Sequence, residues 1–306
     1  MKENEFIEKI RTQIKKSFPN LLVGIGDDAA VYKHTVGSFG LFATDMLVEG
    51  IHFESNADPE LVGRKALAVN LSDIAAMGGK PTFAVIALAI PPSKGAEYGL
   101  KVMEGIRKLA DEFQVCICGG DTVRSNTETS VAVSVLGEAA EQSPLLRNGA
   151  KPGDAIAVTG SLGGSLASGK HLSFTPRVKE GLLLNKHFKI HSMIDLSDGL
   201  VSDLKHILVE SKCGALLFPD KIPISAAIIH HAWKDRLRMA LCDGEDFELL
   251  FTLPAGEAEK LTAKQAFDCP VTIIGTVQKE RGLFWQREDA ELEPILWKGY
   301  EHTWDP

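Results

Sequence analysis

The stretch GIGDDAAVYKH, Gly24 to His34, decides between two folds. Its first six residues fit G-x-G-x-x-A, and Asp45, about 20 residues on, supplies the acid that a dinucleotide-binding unit uses for a ribose. Such a unit needs a helix directly after the glycines, because the helix N-terminus holds the pyrophosphate. Here the glycines are followed by Ala29-Ala30-Val31-Tyr32-Lys33, which favours a strand and is soon broken at Gly37. The adjacent Asp27 and Asp28 would also repel a phosphate. The stretch therefore predicts a tight glycine turn that carries acids into a strand. Neighbouring side chains of an extended segment point to opposite sides, so one aspartate of the pair faces any shared site, and Asp28 is the expected one.

A second phosphate-like stretch, Gly164 to His171 (GSLASGKH), fits G-x-x-x-x-G-K. His171 stands where a phosphate-binding loop needs a Ser or Thr to hold magnesium, and the preceding strand ends too early. It is expected to be a Gly/Ser-rich turn into a helix.

The rest of the chain confirms that neither decoy sets the architecture. Helical and strand patterns mix without a strict βαβ rhythm, which predicts an α+β chain of two domains rather than one doubly wound sheet. A helix is expected from Pro59 to Met77, stopped by Gly78-Gly79 and Pro81, and an amphipathic one over AEYGLKVMEGIRKLADEF. TFAVIALAI, QVCICGGD and TSVAVSVLGEA read as strands, and Cys116 and Cys118 are expected to pack in the core. The turn-rich EQSPLLRNGAKPGD separates an N-terminal domain, 1–139, from a C-terminal one, 140–306. Near the start, Phe6, Ile10, Ile14 and Phe18 fall on one helical stripe.

The 306 residues carry a net charge of −8, which argues against non-specific nucleic-acid binding. No apolar run reaches membrane-spanning length, and five cysteines without a CxxC pair give no metal or disulfide framework. A cytoplasmic, thiol-reduced setting is expected.

What stands out is where the acids fall. Asp27, Asp28, Asp45, Asp73, Asp121, Asp195, Asp198, Glu245 and Asp246 lie beside glycines or inside apolar segments, not among surface lysines. Asp73 sits in ALAVNLSDIAAM, three residues after Asn70 and on the same helix face. A lone buried carboxylate is costly, and a cation removes that cost. Asp45, Asp121 and Asp195 are expected at strand ends that open into turns, where ligand sites form. Oxygen ligands without clustered His or Cys point to hard cations, magnesium first. Several converging carboxylates need several ions, an arrangement suited to polyphosphate chemistry.

These residues belong to ordered motifs: GIGDDAAV, ATDMLVEGIHF, KALAVNLSDIAAMGGKP, GGDTVRS, GAKPGD, VTGSLG, IDLSDGLVSDL, GEDFELLF and WKGYEH. In that order, over Gly24 to His302, the chain resembles the thiamine-monophosphate kinase family, a branch of the superfamily of aminoimidazole-ribonucleotide and selenophosphate synthetases. The resemblance implies phosphorylation of thiamine phosphate to thiamine diphosphate by ATP, with direct in-line transfer and several magnesium ions. It implies magnesium ligation by Asp28, Thr44, Asp45, Asp73, Asp121, Asp195 and Asp198, with Asp121 and Asp198 closest to the chemistry. Gly120, Asp121, Arg147 and Ser197 would contact ATP. His52, Glu245 and Tyr300 would contact thiamine phosphate. The implied fold is a homodimer in which the N-terminal mixed sheets form a barrel across the interface, each with a sandwich-like C-terminal α+β domain. A selenophosphate synthetase would need a reactive N-terminal Cys, and the first 30 residues have none. An aminoimidazole-ribonucleotide synthetase-like enzyme, or a non-catalytic nucleotide or metal sensor, stands as the alternative.

Overall fold

A computed structural model describes residues 20–23, 27–33, 38–140, 143–263, 267–286 and 292–301. The helical stripe at Phe6 to Phe18, the glycines Gly24 and Gly26 and the terminal His302 lie outside them.

The N-terminal half is a six-stranded mixed sheet with strand order β1-β2-β3-β6-β4-β5. Its strands are β1 (Leu21–Val23), β2 (Ala30–Lys33), β3 (Ser38–Val48), β4 (Lys80–Ile90), β5 (Cys116–Arg124) and β6 (Ser130–Ala140). The segment after the glycine turn is thus a strand, and the dinucleotide unit is absent. Alternation decides which face is covered. Leu41, Ala43 and Leu47 of β3, Ile86 and Leu88 of β4, and Val131, Val133 and Val135 of β6 are buried against helices α1 (Pro59–Ala76) and α2 (Gly95–Phe113). The other face carries Phe42, Met46, Phe83 and Val85, all largely exposed.

α1 is buried around most of its circumference, which is why its sequence is apolar nearly throughout. Asp58 caps its N-terminus by accepting from the Glu60 amide at 2.9 Å. It crosses α2 at a reciprocal pair of glycines. A Cβ on Gly63 would lie 1.9 Å from the Val102 carbonyl oxygen, and one on Gly105 1.9 Å from that of Glu60.

The C-terminal half holds a seven-stranded sheet of order β13-β12-β9-β11-β7-β10-β8, antiparallel except where β12 pairs β9. The strands are β7 (Asp154–Thr159), β8 (Ser192–Asp195), β9 (Gly214–Leu217), β10 (Leu249–Pro254), β11 (Val271–Gln278), β12 (Gly282–Gln286) and β13 (Leu292–Pro294). Between them lie α3 (Ser165–Ser168), α4 (Lys170–Ser173), α5 (Val178–His187), α6 (Leu200–Ser211), α7 (Trp233–Cys242) and α8 (Ala255–Ala263). GSLASGKH accordingly forms two one-turn helices. β7, β8 and β10 are buried on both faces. Ala155, Ala157, Met193, Leu249 and Phe251 join the core that includes α1, while Ile156, Val158, Ile194 and Leu250 join a second core with α6 and α7. One hydrophobic core therefore runs through both halves, and it fixes their facing edges against each other.

Three sequence expectations change. Asp45 and Asp121 do not end their strands: β3 continues to Val48 and β5 to Arg124. Cys116 and Cys118 are exposed rather than in the core, because β5 is the uncovered edge of its sheet.

Candidate active site

Where the two halves meet, a cavity of about 290 Å³ opens between β3, α1, the loop after β8 and the loop before β10. Six carboxylates line it, namely Asp45, Asp73, Asp195, Asp198, Asp243 and Glu245, against one ammonium, Lys65. A polyanion cannot enter such a cavity unless cations come with it.

Each acid is placed by a different element. Asp45 projects from the covered face of β3 and Asp73 from the third turn onwards of α1, and their side chains share a hydrogen bond. Asp195 ends the wholly buried β8 and accepts from the Ser72 hydroxyl at 2.6 Å. Asp28 enters from the turn before β2. Carboxylate oxygens of Asp28, Asp73 and Asp195 lie within 4.8 Å of one another. Asp28 also accepts from the Arg147 guanidinium at 2.7 Å, while its second oxygen is buried without a partner. Burial, and then the neighbouring carboxylates, push Asp73 well above the ordinary range. Burial and Asp28 raise Asp195 to about 7. Burial raises Asp45 too, although its bond to Asp73 opposes the shift. A cluster of hard oxygen donors, one of them orphaned, that strains to hold protons fits a divalent cation such as magnesium.

Asp27 accepts from the Arg147 amide at 3.3 Å, and burial with Asp28 raises it to about 7. Arg147 thus clamps the aspartate turn in this structure. Ser197 and Asp198 form the cavity wall beyond β8. Asp203, buried in the first turn of α6, accepts from the amides of Asp198 and Gly199 at 3.2 and 3.1 Å and fixes that loop. Asp198, Asp203 and His206 make a second group of converging ligand atoms.

His52, Glu245 and Tyr300 also line the cavity. The His52 ring accepts from the Val48 amide through Nδ1 at 3.0 Å. Glu245 has φ +58° and Phe247 φ +49°, left-handed conformations that non-glycine residues adopt rarely and that mark functional loops. The Glu245 amide donates to the Ser197 carbonyl at 2.7 Å, and Phe247 stacks on Phe174 at 4.2 Å. Tyr300 is half exposed, and its amide donates to the Asp198 carbonyl at 3.0 Å. A Cβ on Gly299 would meet that same carbonyl at 2.1 Å, so only glycine lets the WKGY segment dock here.

Three expected residues stand apart. Gly120 and Asp121 lie on exposed β5, and β4 and β6 separate that strand from β3. The close approach at Gly120 is to the β4 backbone, where a Cβ would meet the Ile86 oxygen at 2.0 Å. The Thr44 side chain lies on the open face and bonds Ser134 Oγ at 2.9 Å, away from Asp45.

The structure adds Lys65, Ser72 and Asp203, which sequence reasoning passed over. Lys65 had a visible signal, as a cation at the head of the apolar run ALAV of α1. Ser72 and Asp203 act through contacts distant in sequence or cap-like, and carried none.

Comparisons with known proteins bear on this geometry. The model of the AIR synthase related protein N-terminal domain matches residues 26–139, and that of the C-terminal domain matches residues 151–286. The chain is 38% identical to the thiamine-monophosphate kinase of Rhodopirellula baltica over 98% of its own length and 97% of that protein's. It is 37% identical to that of Bacillus subtilis, over 92% and 93%. Among solved structures it superposes on AaThiL complexed with AMPPCP and TMP with a TM-score of 0.85 at 28% identity, covering 99% of this chain and 97% of that one. Hydrogenase maturation protein HypE, at 19% identity and a TM-score of 0.70, shares the fold. With both halves matched and relatives aligned end to end, the chain belongs to the thiamine-monophosphate kinase family of AIR synthase related proteins.

Proposed function

We propose that the protein transfers the γ-phosphoryl group of ATP directly to thiamine phosphate, giving thiamine diphosphate and ADP. The observation that carries this is the convergence of Asp28, Asp73 and Asp195 beside Asp45 in a cavity that otherwise repels phosphate. Asp28, Asp45, Asp73, Asp195 and Asp198 would hold magnesium ions, which would supply charge neutralisation for the phosphates. The acceptor phosphate is already anionic, so no strong general base is needed, and the chain's task is placement. Arg147 and Ser197 would meet the nucleotide, with Arg147 exchanging part of its hold on Asp28 for phosphate oxygens. His52, Glu245 and Tyr300 would receive the thiamine portion. The AMPPCP and TMP of the AaThiL complex support the same pairing of ligands.

Thr44, Gly120 and Asp121 belong to this reading only if the open face is covered. Phe42, Met46, Phe83 and Val85 form an apolar face beside the unpaired β5 edge, which suits closure against a second copy of the chain. We assign Gly120 and Asp121 to an ATP and metal site completed in that homodimer. No helix among the described residues is long and apolar enough to cross a membrane, and the five free cysteines suit a reducing cytoplasm.

The test is direct. Purified protein with ATP, magnesium and thiamine phosphate should form thiamine diphosphate and ADP in equal amounts, and chelation should stop it. No product at saturating magnesium removes the proposal and favours a sensor or another ATP-dependent chemistry.

A further inference from the structure

Lys65 has no part in the phosphate chemistry above, yet it is the cation of this cavity. Its residue is 0% exposed, and it lies in α1 directly before the apolar run Ala66 to Val69. That ammonium donates to the His52 carbonyl oxygen at 2.8 Å and to the Glu245 carboxylate. One cation thus binds both residues assigned to the thiamine portion, one from each half of the molecule. The Glu245 backbone is already fixed: its amide is held by Ser197, its carbonyl accepts from the Ser165 hydroxyl, and its φ is +58°. What remains free in Glu245 is the side chain, and Lys65 removes that freedom.

A buried lysine is expensive, and burial pulls its pKa down against the pull of Glu245. Apolar residues would build the same α1 more cheaply, so packing does not account for it. The charge has a second effect on the cavity. It pairs with Glu245 in a lining that holds five further carboxylates.

We propose that Lys65 is a positioning residue for the heterocyclic end of the substrate. It fixes the Glu245 carboxylate and the His52 segment in register. It also turns Glu245 from a free anion, open to any cation, into an oriented acceptor for an amino donor of the substrate ring. The inference rests on the assignment of His52 and Glu245 in the proposed function.

The experiment compares wild type, Lys65→Met, Glu245→Gln and the double variant in steady-state kinetics with both substrates varied. Binding of thiamine phosphate in the presence of magnesium and AMPPCP is measured alongside by calorimetry. Lys65→Met should raise KM for thiamine phosphate by about tenfold or more, as for loss of a hydrogen-bonded charge partner in a desolvated site, while KM for ATP stays within about twofold. Adding Lys65→Met to Glu245→Gln should cost little further, because the lysine acts through that carboxylate. If Lys65→Met leaves Glu245 unpaired and fails to fold, the double variant removes both charges, and it should then reproduce the Glu245→Gln constants. Unchanged constants in Lys65→Met, equal losses for both substrates, or additive losses in the double variant would overturn the assignment. Wild type that binds no thiamine phosphate would strike the functional reading itself, and this assignment with it; wild type that binds it, matched by Lys65→Met, strikes the assignment alone.

Discussion

Two buried acidic centres lie in this molecule, and the chain treats them in opposite ways. Glu248, at the start of β10, accepts from Arg177 at 2.6 and 2.9 Å, from Lys170 at 3.0 Å and from the Thr159 hydroxyl at 2.8 Å. Burial would raise its pKa, but Arg177 and Lys170 outweigh burial and hold it below its ordinary value. Asp73 and Asp195 are as deeply buried, and their neighbours are other carboxylates, with Arg147 reaching only Asp28 directly. The first centre is complete: every charge it needs is supplied by the fold. The second has Arg147 as its one direct protein cation, and its carboxylates outnumber it. Burial of acids alone does not mark a functional site; burial of acids in excess of protein cations is the stronger signal.

The comparison breaks most sharply under substitution of one member of each centre. Asp195→Asn removes one carboxylate of the proposed cation cluster. We expect kcat to fall by about 10³-fold, as for loss of a preorganised electrostatic group, with a thermal midpoint equal to wild type or higher because one repelling charge is gone. Glu248→Gln should do the reverse. It strands Arg177 and Lys170 against a neutral amide and should cost about 3 kcal/mol of stability, read by denaturant unfolding, while turnover per folded molecule persists. If Asp195→Asn destabilises strongly and keeps its rate, or Glu248→Gln is as stable as wild type and inactive, the two centres have been assigned the wrong way round.

The same contrast explains what could be read without coordinates. The strand after Gly24-Ile25-Gly26 and the buried setting of Asp73 were legible, because β-forming residues and an acid inside an apolar helix are local signals. The choice of Asp28 over Asp27 rested on alternation in an extended segment, whereas both accept from Arg147, Asp27 from its amide and Asp28 from its guanidinium. The Glu248 centre was invisible: Thr159, Lys170, Arg177 and Glu248 come from separate elements, and no periodicity links them. For the same reason Lys65 could not be tied to Glu245, 180 residues away. Cys116, Cys118 and Asp121 were misplaced because β5 reads like an interior strand. Whether a strand is an edge is decided by which strands pair, and sequence period does not carry that.

The smallest effect is the most specific to the comparison, because it asks which centre titrates. A group whose folded pKa is raised contributes stability that is full below its unfolded value, and that stability is lost as pH rises through the folded one. Asp195, raised to about 7 by burial and Asp28, is in that class, as are Asp73 and Asp45 by direction. Metal-free protein should therefore lose thermal stability steadily from pH 5 to 8. Glu248 is silent there, since its pKa lies below 4.5 and its contribution is lost only in acid. Asp246, raised to about 7 by burial, adds to the slope but lies outside the cluster. Magnesium competes with protons for the aspartates, so it should stabilise more at pH 8 than at pH 5.5, by about 1–2 kcal/mol at tenfold its Kd. Asp195→Asn should flatten both the slope and the magnesium increment, and Glu248→Gln should leave both in place. A magnesium increment that is the same at both pH values, or that survives Asp195→Asn, would mean that the cation binds somewhere other than among Asp28, Asp73 and Asp195.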